Sequence, residues 1–110
     1  MINILFICSR NQWRSPTGEQ VWQKTPGLCV RSAGTSASAR RTVNANDIVW
    51  ADLIFVMEDT HKSRLRKSFP QQIKNAAIHV LDIPDEYQKN DPELIDLIRT
   101  GTESIIEAVL

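Results

Sequence analysis

The chain has 110 residues, enough for one domain of ordinary size, 1–110, with a modest core. Its 13 basic and 13 acidic residues cancel and its pI is near 6.7, which removes the electrostatic case for nucleic acid or an anionic membrane as a partner. No apolar run approaches the ~20 residues of a membrane span, no secretory leader pattern opens the chain, and Cys8 and Cys29 lack metal-ligand spacing. A reduced, cytoplasmic protein without cofactor or metal is expected.

Residues 2–7 are mostly apolar, the profile of a strand covered on both faces of a parallel sheet. A short loop, 8–14, follows. Ser15 reads as a helix cap and Pro16 as the first helical residue, with Val21 and Trp22 on the apolar face and Thr25-Pro26-Gly27 as the stop. Leu28–Arg31 is a second strand, ending at Ser32-Ala33-Gly34-Thr35. Residues 35–46 have no clear period; Asn46 or Asp47 is expected to cap one turn through Trp50. Ala51–Met57 is the third strand. Asp59 or Thr60 caps the next helix, where His61, Leu65 and Phe69 recur every four residues until Pro70. Ala77–Leu81 is the fourth strand, and an acidic loop, 82–90, leads to Asp91-Pro92, a cap followed by proline. The last helix carries Leu94, Ile95, Ile98, Ile105, Ile106 and Val109 on one stripe, with Gly101 as a weak point. Four strand–helix alternations predict an α/β fold, a parallel sheet with right-handed crossovers and helices on its faces. Ligands of such sheets bind at the carboxyl ends of the strands, where the loops after Ile7, Val56 and Leu81 emerge.

The loop 8–14 carries the chemistry. A strand-to-helix loop can aim successive backbone N–H groups at one point, and the helix dipole adds positive potential there. That suits a phosphate dianion. Arg14 contributes a planar fork matching two phosphate oxygens. The same dipoles favour a thiolate at Cys8, the reactive form of the side chain, and Ser15 is placed to donate its hydroxyl to the sulfur. Attack of Cys8 on phosphorus gives a phosphocysteine; the leaving oxygen needs a proton, which an Asp on the loop after the fourth strand, Asp82, Asp85 or Asp91, can supply.

Cys8 to Pro16 resembles the Cys-x5-Arg-Ser-Pro signature of the low-molecular-weight protein tyrosine phosphatases. Ser32-Ala33-Gly34-Thr35, the block Ala51–Met57 and His61 are similar to further segments of that family, so the likeness runs in order across most of the chain. The resemblance implies a three-layer, phosphatase I-like domain with a four-stranded parallel sheet. It also implies an asparagine, Asn11, that holds a strained loop and a serine, Ser32, that braces it. The expected catalytic residues are Cys8, Arg14 and Asp85, Asp85 being preferred because Asp91 is accounted for as a helix cap. Ser9, Arg10, Asn11, Gln12, Trp13, Ser15 and Tyr87 are the expected substrate-binding set. The substrate would be a phosphorylated protein or small aryl phosphate, with inorganic phosphate as product.

The chain also departs from that pattern. Trp13 stands where the family has a second cysteine, Arg10 replaces a glycine, and the Asp-Pro-aromatic acid motif is broken. The segment between Thr35 and Ala51, part of the family's substrate wall, is short. Two other chemistries use a cysteine after the first strand. Arsenate reduction would need a relay of cysteines, with only Cys29 to serve; a phosphocysteine carrier or phosphate-binding module would need neither Arg14 nor an acid. For the remaining residues plain structural roles are expected: Cys29 in the core, Trp22 and Trp50 in the core or partly buried, His61 structural, with a polar network to the loop, Asp52 and Glu58 flanking the third strand. Arg40-Arg41 and the group Lys62, Arg64, Arg66, Lys67 are read as solvated faces.

Overall fold

A computed structural model describes residues 1–110. Its strands are β1 (Ile2–Cys8), β2 (Leu28–Gly34), β3 (Leu53–Val56) and β4 (Ile78–Val80). Its helices are α1 (Arg14–Trp22), α2 (Ala45–Trp50), α3 (Asp59–Ser68) and α4 (Pro92–Val109), with a 3-10 turn at Ile73–Asn75. All pairings are parallel, in the order β2-β1-β3-β4. The chain leaves β1 toward β2 on one side and returns to β3 on the other. The crevice where that order reverses lies at the carboxyl end of β1, which is Cys8.

Alternation along β1 divides the core. Ile4 and Phe6 join Phe55, Trp22, Leu94, Ile98 and Ile106 beneath α1 and α4. Leu5 and Ile7 join Ile54, Val56, Ile48 and Leu65 beneath α2 and α3. Both faces of the central strands are thus covered, which is why β1 and β3 read as unbroken apolar runs. The Phe6 and Phe55 rings stack at 5.4 Å between centroids. α1 comes down onto Phe6 because residue 18 is glycine: a Cβ there would lie 2.5 Å from the Phe6 ring.

Element ends move from their expected places for physical reasons. β2 continues through Gly34, since its last residues still pair with Phe6–Cys8. α1 begins at Arg14, two residues before the expected Pro16, with Trp13 rather than Ser15 at the cap position; Ser15 lies inside the first turn with its hydroxyl turned to the loop. The cap of α2 is Asn44, whose side chain accepts from the Asp47 N–H while Asp47 accepts from the Asn44 N–H, a closed capping box. The cap of α3 is Glu58, one residue before the expected Asp59. Asp91 and Pro92 open α4 as expected. On α4, Thr102 takes a buried place because it accepts from the Trp22 indole N–H at 3.0 Å, whereas Val109 is exposed. Gly101 is a point of close approach: its missing Cβ leaves room for Leu81. Cys29 is partly exposed rather than a core residue. Trp50, half-buried, carries the Arg31 guanidinium 4.0 Å above its ring.

Candidate active site

Cys8 ends β1 at the bottom of a cavity of about 290 Å³ lined by Cys8, Ser9, Arg10, Gln12, Trp13, Arg14 and Asp85. The loop between β1 and α1 is held open by its neighbours. Four successive carbonyls are drawn to the segment 35–40: Cys8 O accepts from Thr35 N, Ser9 O from Ser36 N, Arg10 O from Arg40 N and Asn11 O from Arg40 Nε, at 2.9–3.0 Å. Because each peptide is planar and trans, those carbonyls turn the following N–H groups to the opposite side, the side of the sulfur. The Asn11 N–H reaches Cys8 Sγ at 3.3 Å. Gly34 lets β2 pass this close, as a Cβ there would sit 2.5 Å from Ser9 O. No residue of the segment 36–50 lines this cavity; part of it, 36–40, is the brace behind the loop. Arg40 is part of that brace rather than a solvated charge. Arg41 is likewise engaged, donating to Ser32 O and ion-paired with buried Asp47.

Asn11 is fully buried with φ of 55°, a left-handed conformation unusual for any residue but glycine. Its amide nitrogen donates to Ser15 Oγ at 2.8 Å and Ser32 Oγ at 2.9 Å, and Ser32 donates onward to Glu19 Oε1. Ser15 Oγ lies 3.0 Å from Cys8 Sγ. The Ser15 hydroxyl, which also lies 3.3 Å from Ala33 O, can give its hydrogen to the sulfur as a second donor beside the Asn11 N–H, and the network ends in the carboxylate of Glu19. The Asn11 carbonyl oxygen is the one buried side-chain polar atom without a partner. Strain and an unmet acceptor at one residue beside Cys8 are the kind of local cost that functional loops retain. Asn11 and Ser15 are consequently braces of the loop and do not line the cavity.

Arg14 is 2% exposed. Nη1 donates to Glu58 Oε1 and to Ile83 O, at 2.5 and 2.9 Å. The Nε–Nη2 edge has no hydrogen-bond partner in the protein and is the edge a tetrahedral oxyanion can take in two bonds. Asp85 stands on that edge, with Oδ1 3.6 Å from Nε and a side chain 60% exposed. Of the three candidate acids only Asp85 lines the cavity. Asp82 is exposed, with φ of 56° at the turn out of β4, and Asp91 is committed to capping α4. Tyr87 packs against the core beneath α1 and α4, so the aromatic side chain at the mouth is Trp13, 43% exposed, and not Tyr87.

His61 connects this site to α3. Its Nδ1 accepts from the Glu58 N–H at 3.0 Å, which leaves Nε2 as the protonated nitrogen, donating to Ser9 Oγ at 2.9 Å. Burial, aided by the nearby Arg14 charge, lowers its pKa from 6.5 to about 4. Neutral His61 thus fixes Ser9 as an acceptor and leaves the Ser9 hydrogen to be offered elsewhere. Glu58, treated from sequence as a plain strand flank, both caps α3 and pairs with Arg14. Its position directly after the third strand's apolar block, at the carboxyl edge of the sheet, was the available signal. Glu19 gave no such signal, because its partner, Ser32, lies on β2.

No family model and no curated protein matches the chain. Solved structures do. The low-molecular-weight protein tyrosine phosphatase of Streptococcus pyogenes superposes with a TM-score of 0.80 over 100% of this chain and 94% of its own, at 19% identity. The tyrosine phosphatase Wzb of Escherichia coli K30, solved with phosphate, has a TM-score of 0.80 over 100% of both chains, at 21% identity. The YwlE arginine phosphatase of Geobacillus stearothermophilus has a TM-score of 0.75 over 99% of this chain and 96% of its own, at 22% identity. With its sheet order, layers and extent matched in this way, the chain has the fold of the low-molecular-weight protein tyrosine phosphatases.

Proposed function

We propose that the protein is a cysteine-dependent phosphomonoesterase acting on aryl phosphates such as phosphotyrosine. The observation that carries this reading is the joint placement, around one cavity, of the Cys8 sulfur with the Asn11 N–H and the Ser15 hydroxyl beside it, buried Arg14 with its Nε–Nη2 edge free of hydrogen bonds, and Asp85 facing that edge. In the first step Cys8 Sγ bonds to phosphorus as the ester P–O bond breaks. The departing oxygen takes a proton from Asp85, while the loop N–H groups and Arg14 hold the equatorial oxygens, where charge is spread in the transition state. In the second step water gives a proton to Asp85 and its oxygen bonds to phosphorus; the P–S bond breaks, releasing inorganic phosphate and the thiolate. Tyrosine and arginine phosphatases both occur among the similar structures; Trp13 at the mouth favours a flat aromatic leaving group.

Arsenate reduction finds no support here. Cys29 pairs across the sheet with Asn3 and Cys8 with Gly34, five residues further along, or roughly 17 Å at ~3.3 Å per residue. The thiols cannot meet without unmaking the sheet. A carrier role leaves the engaged pair Arg14–Glu58 and Asp85 without purpose. The test is hydrolysis of p-nitrophenyl phosphate: the wild type is expected to turn over, and Cys8→Ser to lose about a thousandfold or more in kcat. Activity retained in Cys8→Ser rejects the mechanism.

A further inference from the structure

A second cavity, of about 430 Å³, shares Ser9 with the first and is otherwise lined by Thr35, Asp59, Thr60, His61, Ser63, Arg64 and Lys67. None of these side chains is a large apolar group, so the cavity suits a charged group better than a ring. Arg64 and Lys67 are exposed and belong to none of the molecule's four salt bridges. Only Asp59 opposes them on the rim. They are part of a helix with four basic residues, Lys62, Arg64, Arg66 and Lys67, on a chain whose total charge is zero. Arg10, exposed at the mouth of the first cavity, adds to the same sign of potential beside Ser9.

We infer that this cavity is a subsite for acidic side chains flanking the phosphorylated residue of a peptide substrate. The inference rests on the phosphomonoesterase reading and deepens it. A phosphate held over Cys8 leaves the neighbouring peptide residues at the shared wall, Ser9, where a carboxylate meets the hydroxyls of Thr35, Thr60 and Ser63 and the cations of Arg64 and Lys67. Such contacts are solvent-exposed, so they act on KM and fade with salt.

The experiment compares phosphotyrosyl peptides with Glu/Asp, Ala or Lys flanks, using wild type and the double variant Arg64→Glu/Lys67→Glu, with p-nitrophenyl phosphate as the flank-free control. Wild type should prefer the acidic peptide over the Ala peptide by about tenfold in kcat/KM at low salt, carried by KM. The double variant should abolish that preference while the control stays within about twofold. Equal kcat/KM for acidic and Ala peptides, or a preference that survives the charge reversal, overturns the subsite. Anisotropy of the labelled acidic peptide on Cys8→Ser separates the two claims. Binding that needs Arg64 and Lys67, together with a wild type that does not cleave p-nitrophenyl phosphate, keeps the subsite and rejects the phosphatase. Cleavage without flank preference does the reverse.

Discussion

Two loops meet over Cys8, and they are built in opposite ways. The loop from Cys8 to Arg14 has each of its first four carbonyls bonded to the segment behind it, a buried asparagine at its centre and a buried arginine at its end. The loop from Asp82 to Asp91 is largely exposed and is held at intervals. Ile83 N bonds to Met57 O, Ile83 O accepts from Arg14, and Asn90 N bonds to Thr17 Oγ1. Asp85 lies between these ties, 60% exposed. The contrast fits the two tasks that the proposed mechanism assigns to these loops. Donors for a developing oxyanion are effective only if already aimed, so that loop must be rigid. A group that gives a proton to a leaving oxygen and later takes one from water needs contact with both solvent and phosphorus, so it belongs on an exposed edge.

If that division is right, the acid loop should show the largest effect short of removing the nucleophile. Asp85→Asn is expected to lower kcat by about a hundredfold for alkyl phosphates and much less for p-nitrophenyl phosphate, whose leaving group departs without help. Asp82→Asn and Asp91→Asn should change kcat little. A loss in Asp91→Asn equal to that in Asp85→Asn would move the acid to the helix cap.

The rigid loop should respond to pH through His61. Its folded pKa of about 4 lies below the unfolded 6.5, so between these values the unfolded chain binds more protons. Stability is therefore full above about 6.5 and falls as pH drops toward about 4, by at most ~3 kcal/mol from this group. Urea unfolding of wild type and His61→Gln across that window measures it. Parallel curves would remove His61 from the account.

Asn11 separates two costs within the same loop. Alanine and glycine both lose the bonds to Ser15 and Ser32, but only alanine bears the left-handed backbone. Asn11→Ala should thus be less stable than Asn11→Gly by about 1 kcal/mol; equal stabilities would mean that the positive φ carries no strain.

A comparably small effect is expected at the joint between the loops. Glu58→Gln keeps a side-chain oxygen for the guanidinium and leaves the Glu58 N–H to His61 Nδ1, but loses the charge facing Arg14, and kcat/KM should fall about tenfold. No change would show that Ile83 O alone positions the guanidinium.

Much of this was legible in the linear order of residues, and the physical reason is local. β1 and β3 sit between two helical layers, so both their faces must be apolar and their runs announce themselves. Pro92 and Asp91 act within one turn. Cys8, Arg14 and Ser15 lie within one loop and half a turn of helix, close enough for spacing alone to bring them together. The caps of α2 and α3 were missed by one to three residues because several residues that can cap stand side by side, Asn44, Asn46 and Asp47 before one helix, Glu58, Asp59 and Thr60 before the other. Only geometry chooses among them.

Tertiary structure decided what depends on distant segments. Nothing in the run from Thr35 to Arg40 says that its N–H groups will pair with the carbonyls of residues 8–10, and that pairing is what faces the loop's amides toward sulfur. Glu58 meets Arg14 across 44 residues, and Ile83 across 69. Tyr87 turned to the core and Asp85 to the cavity on the same loop, a choice set by where α4 lands on the sheet. The chain order by itself placed Cys8 and Arg14 on one loop and specified the layered sheet; the packing of α3, α4 and the 35–40 segment decided which carboxylate lines the cavity, which side chains brace the loop and which charges surround them.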